Sequence, residues 1–366
     1  MILIYKKCIR NHIPLTFLNE DEILLSKKNT LYVYSISKDS ITKLLALPST
    51  SFKAFAINFK FLSRILRLGV KYALSISKDA IIIAFNRSLY TININTKTYK
   101  KTFTLTRGSR PLSITQVENI EGFDDMICFG EYFENFNRQP VHIYKKVGQS
   151  WDIAYTFPKN TIEHIHAIVP DKYRNCLWIL TGDFNSAAAI WMVKDNFSQV
   201  TSILANDQIY RSCVGYSLPE GLLYATDSQF ETNSIRLLSQ KNGQWLSQHI
   251  RDINGPVIYG CEMKDNYFFS TSVEGISHTK NVFLKYFDRK PGPGVKDNNS
   301  YIIGGNLKEG FKVLSKNKKD VYPFILFQFG TTTFPSGKNK TNLLFSYNTA
   351  LKKDNLSTSI FMVKEN

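Results

Sequence analysis

Apolar and polar positions along this chain fall into short runs of about 4–8 residues, and the three-to-four spacing of an amphipathic helix is almost absent. The recurrent unit is two β-rich runs joined by a polar loop. It is clearest at 176–193 (CLWILTGDFNSAAAIWMV), 222–238 (LLYATDSQFETNSIRLL) and 267–287 (YFFSTSVEGISHTKNVFLKYF). Residues 126–146 and 343–363 fit the same frame, and residues 23–36 and 80–94 are weaker copies. Loop markers Thr181, Thr226 and Thr271 recur at a spacing of 45. A further strand-like run precedes each clear hairpin: HIHAIVP, YRSCVGYSL, GPVIYGCEM and, before the last, YPFILFQFG. Runs such as SWDIAYTF and QWLSQHI follow. Four strands per repeat of about 45 residues predict an all-β fold, a β-propeller of four-stranded blades.

Seven copies are countable; six blades also fit, since the first two copies are weak and residues 288–321 are irregular. The last copy ends at SIFMVKEN without a fourth strand, while the chain opens on an orphan run, MILIYKK. Residues 2–6 are therefore expected to supply the outer strand of the last blade, leaving no open seam between first and last. On this reading residues 1–366 form a single propeller domain.

Aromatic residues at 13% and apolar residues at 43% support a buried core. No apolar run approaches the ~20 residues of a membrane helix, and the N-terminal run breaks at Lys6-Lys7, too early for a signal-peptide core. Five scattered cysteines without CxxC spacing suit a reduced, cytoplasmic protein. The net charge of +16 is uneven. Residues 1–110 carry 19 Lys/Arg against 5 Asp/Glu, residues 111–279 carry 12 against 19, and residues 280–353 carry 14 against 4. Ring closure would merge the two basic ends, 1–110 and 280–353, into one sector opposite the acidic 111–279. Such a sector suits peripheral contact with an anionic membrane surface, at the inner membrane for a cytoplasmic protein, although a solvated lysine-rich surface explains the charge equally well. Mostly dispersed lysines, without aromatics interleaved on an obvious groove and without a recognised motif, argue against nucleic acid.

The predicted topology brings the start of each innermost strand and the end of the second strand to one face near the axis. His164 and His166, two of six histidines, sit at i and i+2 of an inner strand and are expected to point together. Second strands end at Glu131, Asp183, Asp227 and, slightly further on, Glu274. Arg110 and Arg211 lie at or before inner strands, and Arg138 lies on a loop. The six acids and histidines are the candidate catalytic groups, and the three arginines are candidate substrate-binding groups. Against this stands an architectural reading: Asp, Glu and Thr at loops cap turns, and recurrence at equivalent positions favours such a role.

Three chemistries would use these groups. His164, His166 and a carboxylate such as Asp183 could hold a divalent metal. Glu131 and Glu274 could form the carboxylate pair of a glycoside hydrolase. His166 as base with Arg211 neutralising a uronate carboxylate would suit polysaccharide elimination.

The stretch YKKVGQSWDIAY resembles an Asp-box, roughly S-x-D-x-G-x-T-W, with Gly148, Ser150 and Trp151 fitting its second half. Tyr144 and Lys146 stand at the Ser and Asp positions, and SQKNGQW (239–245) is a second partial copy with Lys241 at the Asp. Residues ~110–290 are thus similar to BNR/Asp-box, sialidase-like propellers. That resemblance implies a carbohydrate-handling superfamily of hydrolases, lyases and binding proteins; its arginine triad and Tyr–Glu pair have no residue-by-residue match here. The expected function is to act on or recognise an acidic glycan at the channel mouth, in making or modifying a surface polysaccharide. The alternative is a non-catalytic scaffold that binds a protein or glycan partner.

Overall fold

The computed structural model describes residues 1–49, 51–56, 58–70, 72–275 and 286–365. Seven four-stranded antiparallel sheets follow one another along the chain, the fold of a seven-bladed β-propeller. The third blade is built from Thr115–Val117, Met126–Gly130, Val141–Val147 and Ser150–Phe157. The fourth is built from His164–Asp171, Cys176–Gly182, Ala189–Lys194 and Gln199–Ala205. The fifth uses Ser212–Leu218, Gly221–Thr226, Asn233–Lys241 and Gln244–Ile253.

In the seventh blade the N-terminal strand Ile2–Arg10 pairs with Ser357–Lys364, beyond Leu343–Thr349 and Thr331–Thr333. The pairing runs from Ile2↔Lys364 to Arg10↔Ser357, so this strand is longer than the expected residues 2–6, with an irregularity between Tyr5 and Lys7.

Three local expectations are corrected. The run 322–330 is not the inner strand of the seventh blade. Pro323 leads into a short helix, Phe324–Phe327, and the strand is the β-branched Thr331–Thr333. An unbroken apolar run carries no period to separate strand from helix, and burial of Phe324 beside Val273 and Val295 decides the outcome. The third strand of the sixth blade is Asn299–Asn306, hairpinned to Gly310–Lys318, so much of 288–321 is regular. The run 281–287 expected there lies mostly outside the described residues. Short helices also occur at Ser51–Ala56 and Lys60–Ile65.

The chain packs as two compact units, one of residues up to 82, 92–99 and from 254 onward, the other of residues 83–91 and 100–253. In the first, Met1, Met263, Phe268, Leu344 and Val363 join the sixth and seventh blades, while Ile9, Phe17, Ile23 and Phe345 join the seventh and first. In the second, Ile143, Phe157, Ile165 and Ile179 weld the third blade to the fourth, and Leu180, Trp178, Leu222 and Tyr224 weld the fourth to the fifth. The Asp-box-like stretches are outer hairpins of this unit. Each turns at a glycine with positive φ, Gly148 (63°) and Gly243 (80°). Each then supplies an indole to the core: Trp151 lies 5.2 Å from the Phe129 ring and Trp245 lies 5.1 Å from Trp178.

Candidate functional site

The loop markers resolve first. Thr181 pairs with Ile165, Thr226 with Ser212 and Thr271 with Val257, all at the same position of the blade. All three are buried, and each hydroxyl is spent on its own blade: on the carbonyl of Ala187, on Asn233 and the Ser234 amide, and on the Tyr301 amide. Their recurrence is architectural. A second recurrence was invisible in the sequence. One residue past each of these pairs the inner strand carries an extra, unpaired residue: His166, Cys213 and Ile258, with Leu15 at the matching bulge of the first blade. A bulge re-aims the side chain it carries. Where that residue is apolar it adds to packing; in the fourth and fifth blades it is an imidazole and a thiol.

The bulge brings His164 and His166 together, with ring nitrogens Nε2 to Nε2 at 3.0 Å. Each ring's other nitrogen, Nδ1, meets a backbone carbonyl, Phe133 O at 3.1 Å for His164 and Ser212 O at 3.0 Å for His166. A carbonyl only accepts, so both Nδ1 atoms carry hydrogen and donate. Asp183 Oδ1 lies 3.4 Å from His164 Nε2 and 3.3 Å from His166 Nε2. Gly182 makes room for this: a Cβ there would fall 2.2 Å from His166 Cε1.

Arg211 anchors the carboxylates. Its Nη2 lies 3.1 Å from Asp183 Oδ1 and 3.5 Å from Asp227 Oδ2, and its guanidinium sits 5.4 Å from the centre of the Phe184 ring. Burial raises the Asp183 carboxyl, but the Arg211 charge beside it outweighs this, leaving Asp183 well below the usual carboxylate range. Cys213 donates to Asp227 Oδ2 at 3.2 Å, and burial, then Asp227, push its thiol well above the ordinary value. Cys213 is therefore a neutral thiol. Tyr132 closes one side, its ring 4.7 Å from His164 and 6.0 Å from His166; burial raises its hydroxyl as well.

The other candidates are placed differently. Glu131 is clamped by Arg107, through Nε at 3.0 Å and a close Nη2 contact, and accepts the His142 amide at 2.8 Å. Arg138 bridges loops, donating to Phe184 O and Ser186 Oγ at 2.8 Å and facing Glu163 at 3.5 Å. Arg110 acts on Tyr132 through its charge. Glu274 lies in the other unit and accepts from Ser272 at close to 2.5 Å. Sequence reasoning missed Arg107, Tyr132, Glu163 and Cys213. Only Cys213 had a signal, its place in SCVGYS matching His166 in HIHAIV.

Fold and site define a seven-bladed β-propeller with an ionisable cluster drawn from its third to fifth blades. No protein-family model matches the chain, and no curated protein matches its sequence. Solved structures match in fold. An oligogalacturonate lyase from Vibrio parahaemolyticus aligns with TM-score 0.55 and 11% identity over 99% of this chain and 92% of its own. The AfRom2 CNH domain aligns with TM-score 0.55 and 7% identity over 100% and 99%. A chain of the mitotic checkpoint complex aligns with TM-score 0.54 and 8% identity over 99% and 95%. At these identities the likeness is one of fold. No helix among the described residues is long and apolar enough to cross a membrane.

Proposed function

We propose that the protein is a carbohydrate-active propeller that cleaves an acidic glycan by elimination at the His164–His166–Asp183–Arg211 cluster. The observation that carries this reading is the convergence of two imidazole nitrogens and a carboxylate oxygen within 3.0–3.4 Å, beside a buried guanidinium. The guanidinium of Arg211, and any cation gathered by the two imidazoles and Asp183, supply the positive charge that neutralises a uronate carboxylate. Neutralisation acidifies the adjacent C–H; as a base removes that proton, the C–H bonding pair forms C=C, and the glycosidic C–O bond breaks with its pair on the departing oxygen, which takes up a proton to leave as a hydroxyl. The oligogalacturonate lyase of shared fold supports the substrate class. The test incubates the protein with oligogalacturonate, alginate and glycosaminoglycan fragments and follows the ultraviolet absorbance of the unsaturated product. His166→Ala is expected to reduce the rate by about 10²–10⁴-fold. No product from any acidic glycan would sink the reading.

One observation favours the non-catalytic alternative: Glu131 and Arg138 are already occupied by protein partners. Binding of the same fragments without turnover, measured calorimetrically, selects it.

The proposed setting is the cytoplasmic face of an anionic membrane, where lipid-linked glycans are assembled. Residues 40–78 contain seven Lys/Arg and no Asp/Glu. The same stretch exposes Phe52, Phe55, Phe59 and Phe61. Basic charge with exposed aromatics suits an interface of anionic lipid. Vesicles containing phosphatidylglycerol are expected to pellet the protein, less so as salt rises. Equal pelleting with phosphatidylcholine vesicles alone refutes the charge argument.

A further inference from the structure

The His164–His166–Asp183 triangle poses an electrostatic problem that the protein's own groups leave open. Both imidazoles spend their Nδ1 hydrogen on a carbonyl, so in neutral rings both Nε2 atoms present lone pairs. These lone pairs face each other at 3.0 Å and face Asp183 Oδ1 at 3.4 and 3.3 Å. Three acceptors at such spacing repel one another unless a positive charge lies among them. Arg211 meets the triangle at Asp183 and shares its Nη2 with Asp227. Counting Asp183, Asp227 and Arg211 with neutral histidines, the cluster carries one negative charge in excess, so it is one positive charge short of balance.

We propose that this triangle is a binding site for one first-row divalent transition-metal ion, ligated by His164 Nε2, His166 Nε2 and Asp183. Ligand atoms on one face of an ion with bonds of about 2.0–2.2 Å stand roughly 3.0–3.4 Å apart, which is the spacing found. Two imidazoles and one carboxylate select manganese, iron, cobalt or zinc over the oxygen-seeking calcium and magnesium. The Nδ1–H···O=C bonds are the supporting contacts expected of metal-bound histidines, because they fix tautomer and ring orientation. The neighbouring combination His166–Cys213–Asp227 also brings three ligand atoms within 4.8 Å. It is the poorer site, because Cys213 is a protonated thiol whose S–H is donated in a hydrogen bond to Asp227. Asp227 acts instead from outside the triangle. Its Oδ1 is buried without a hydrogen-bond partner among the described residues, an acceptor suited to a water held by the ion.

With three protein ligands the ion keeps coordination positions for water or for oxygens of a substrate. A uronate carboxylate fits those positions. That last step rests on the glycan reading above; the metal site does not, and the experiment separates them by using no glycan. Chelator-stripped, untagged protein is incubated with Mn²⁺, Co²⁺ or Zn²⁺, desalted and analysed for metal. One equivalent of at least one ion is expected to be retained. His164→Ala, His166→Ala and Asp183→Asn should each lower affinity by at least about 10–100-fold. His249→Ala, an exposed histidine paired with Asp252, should leave it unchanged. Because a buried histidine variant can fail to fold, Mn²⁺-loaded wild-type protein is also examined by pulsed electron paramagnetic resonance, where coupling to two imidazole nitrogens is expected. Retention below a tenth of an equivalent for all three ions, uptake unaffected by folded triangle variants, or a manganese signal without imidazole coupling overturns the site. Metal retention without cleavage of any glycan keeps the site and removes the glycan reading.

Discussion

A chain lacking residues 2–10 is expected to lose its cooperative unfolding transition and to aggregate. These residues form the outer strand of the seventh blade and pair with Ser357–Lys364 along their length. Ile9 lies in the core between the seventh and first blades. Removing the strand leaves Ser357–Lys364 as an edge with open N–H and C=O groups, a template for pairing with other chains. Each lost ladder hydrogen bond is worth about 0.5–1.5 kcal/mol net, and burial of an aliphatic side chain such as Ile9 about 1.5–3 kcal/mol. Several such losses approach the whole stability of a typical domain, about 5–15 kcal/mol. Thermal unfolding followed by circular dichroism, with size-exclusion chromatography, checks this. Ile9→Val in the full chain serves as the mild comparison, at about 0.5–1.5 kcal/mol. A truncated chain that melts cooperatively at the full-length temperature would show that the terminal strand is an accessory to the blade.

That closure was legible because a repeat short of one strand at its end, and an orphan strand at its start, admit one economical pairing. The fourth blade was legible for a similar reason: HIHAIVP and CLWILTGD carry β-branched and apolar residues in runs of strand length, ended by Gly182-Asp183. The site was only half legible. Alternation places His164 and His166 on one side of a strand, but the 3.0 Å approach of their rings depends on the bulge at His166, which no local residue preference announces. Bulges occur where ladder pairing and packing between blades compete, and both partners are distant in sequence. Glu131 shows the converse. Its place at the end of a second strand was read correctly, yet its partner is Arg107 rather than the nearby Arg110. Residues three apart on an irregular segment differ in direction, and direction is set by the loop's own turns. The run 322–330 was misread because composition without period is silent about secondary structure.

The Arg107–Glu131 pair is where the architectural and catalytic readings of a site carboxylate give opposite results. The Glu131 side chain is 2% exposed, and Arg107 is 29% exposed. Arg107→Met therefore strands a buried carboxylate, and the expected cost is about 3–5 kcal/mol. Glu131→Gln strands a guanidinium that can still reach water, and its amide oxygen can still accept from the His142 amide, so about 1–2 kcal/mol is expected. In the double variant Arg107→Met with Glu131→Gln no charge is left buried, and it should be more stable than Arg107→Met alone. Urea unfolding reads the series as midpoint shifts at constant slope. Equal losses for the two single variants would mean that the carboxylate is well solvated and the clamp of little consequence. On an acidic glycan, Glu131→Gln should fall well short of the about 10²–10⁴-fold loss that removal of a general acid brings. A loss of that size with stability little changed would return Glu131 to the chemistry, and would mean that Arg107 tunes an acid as well as holding the third blade together.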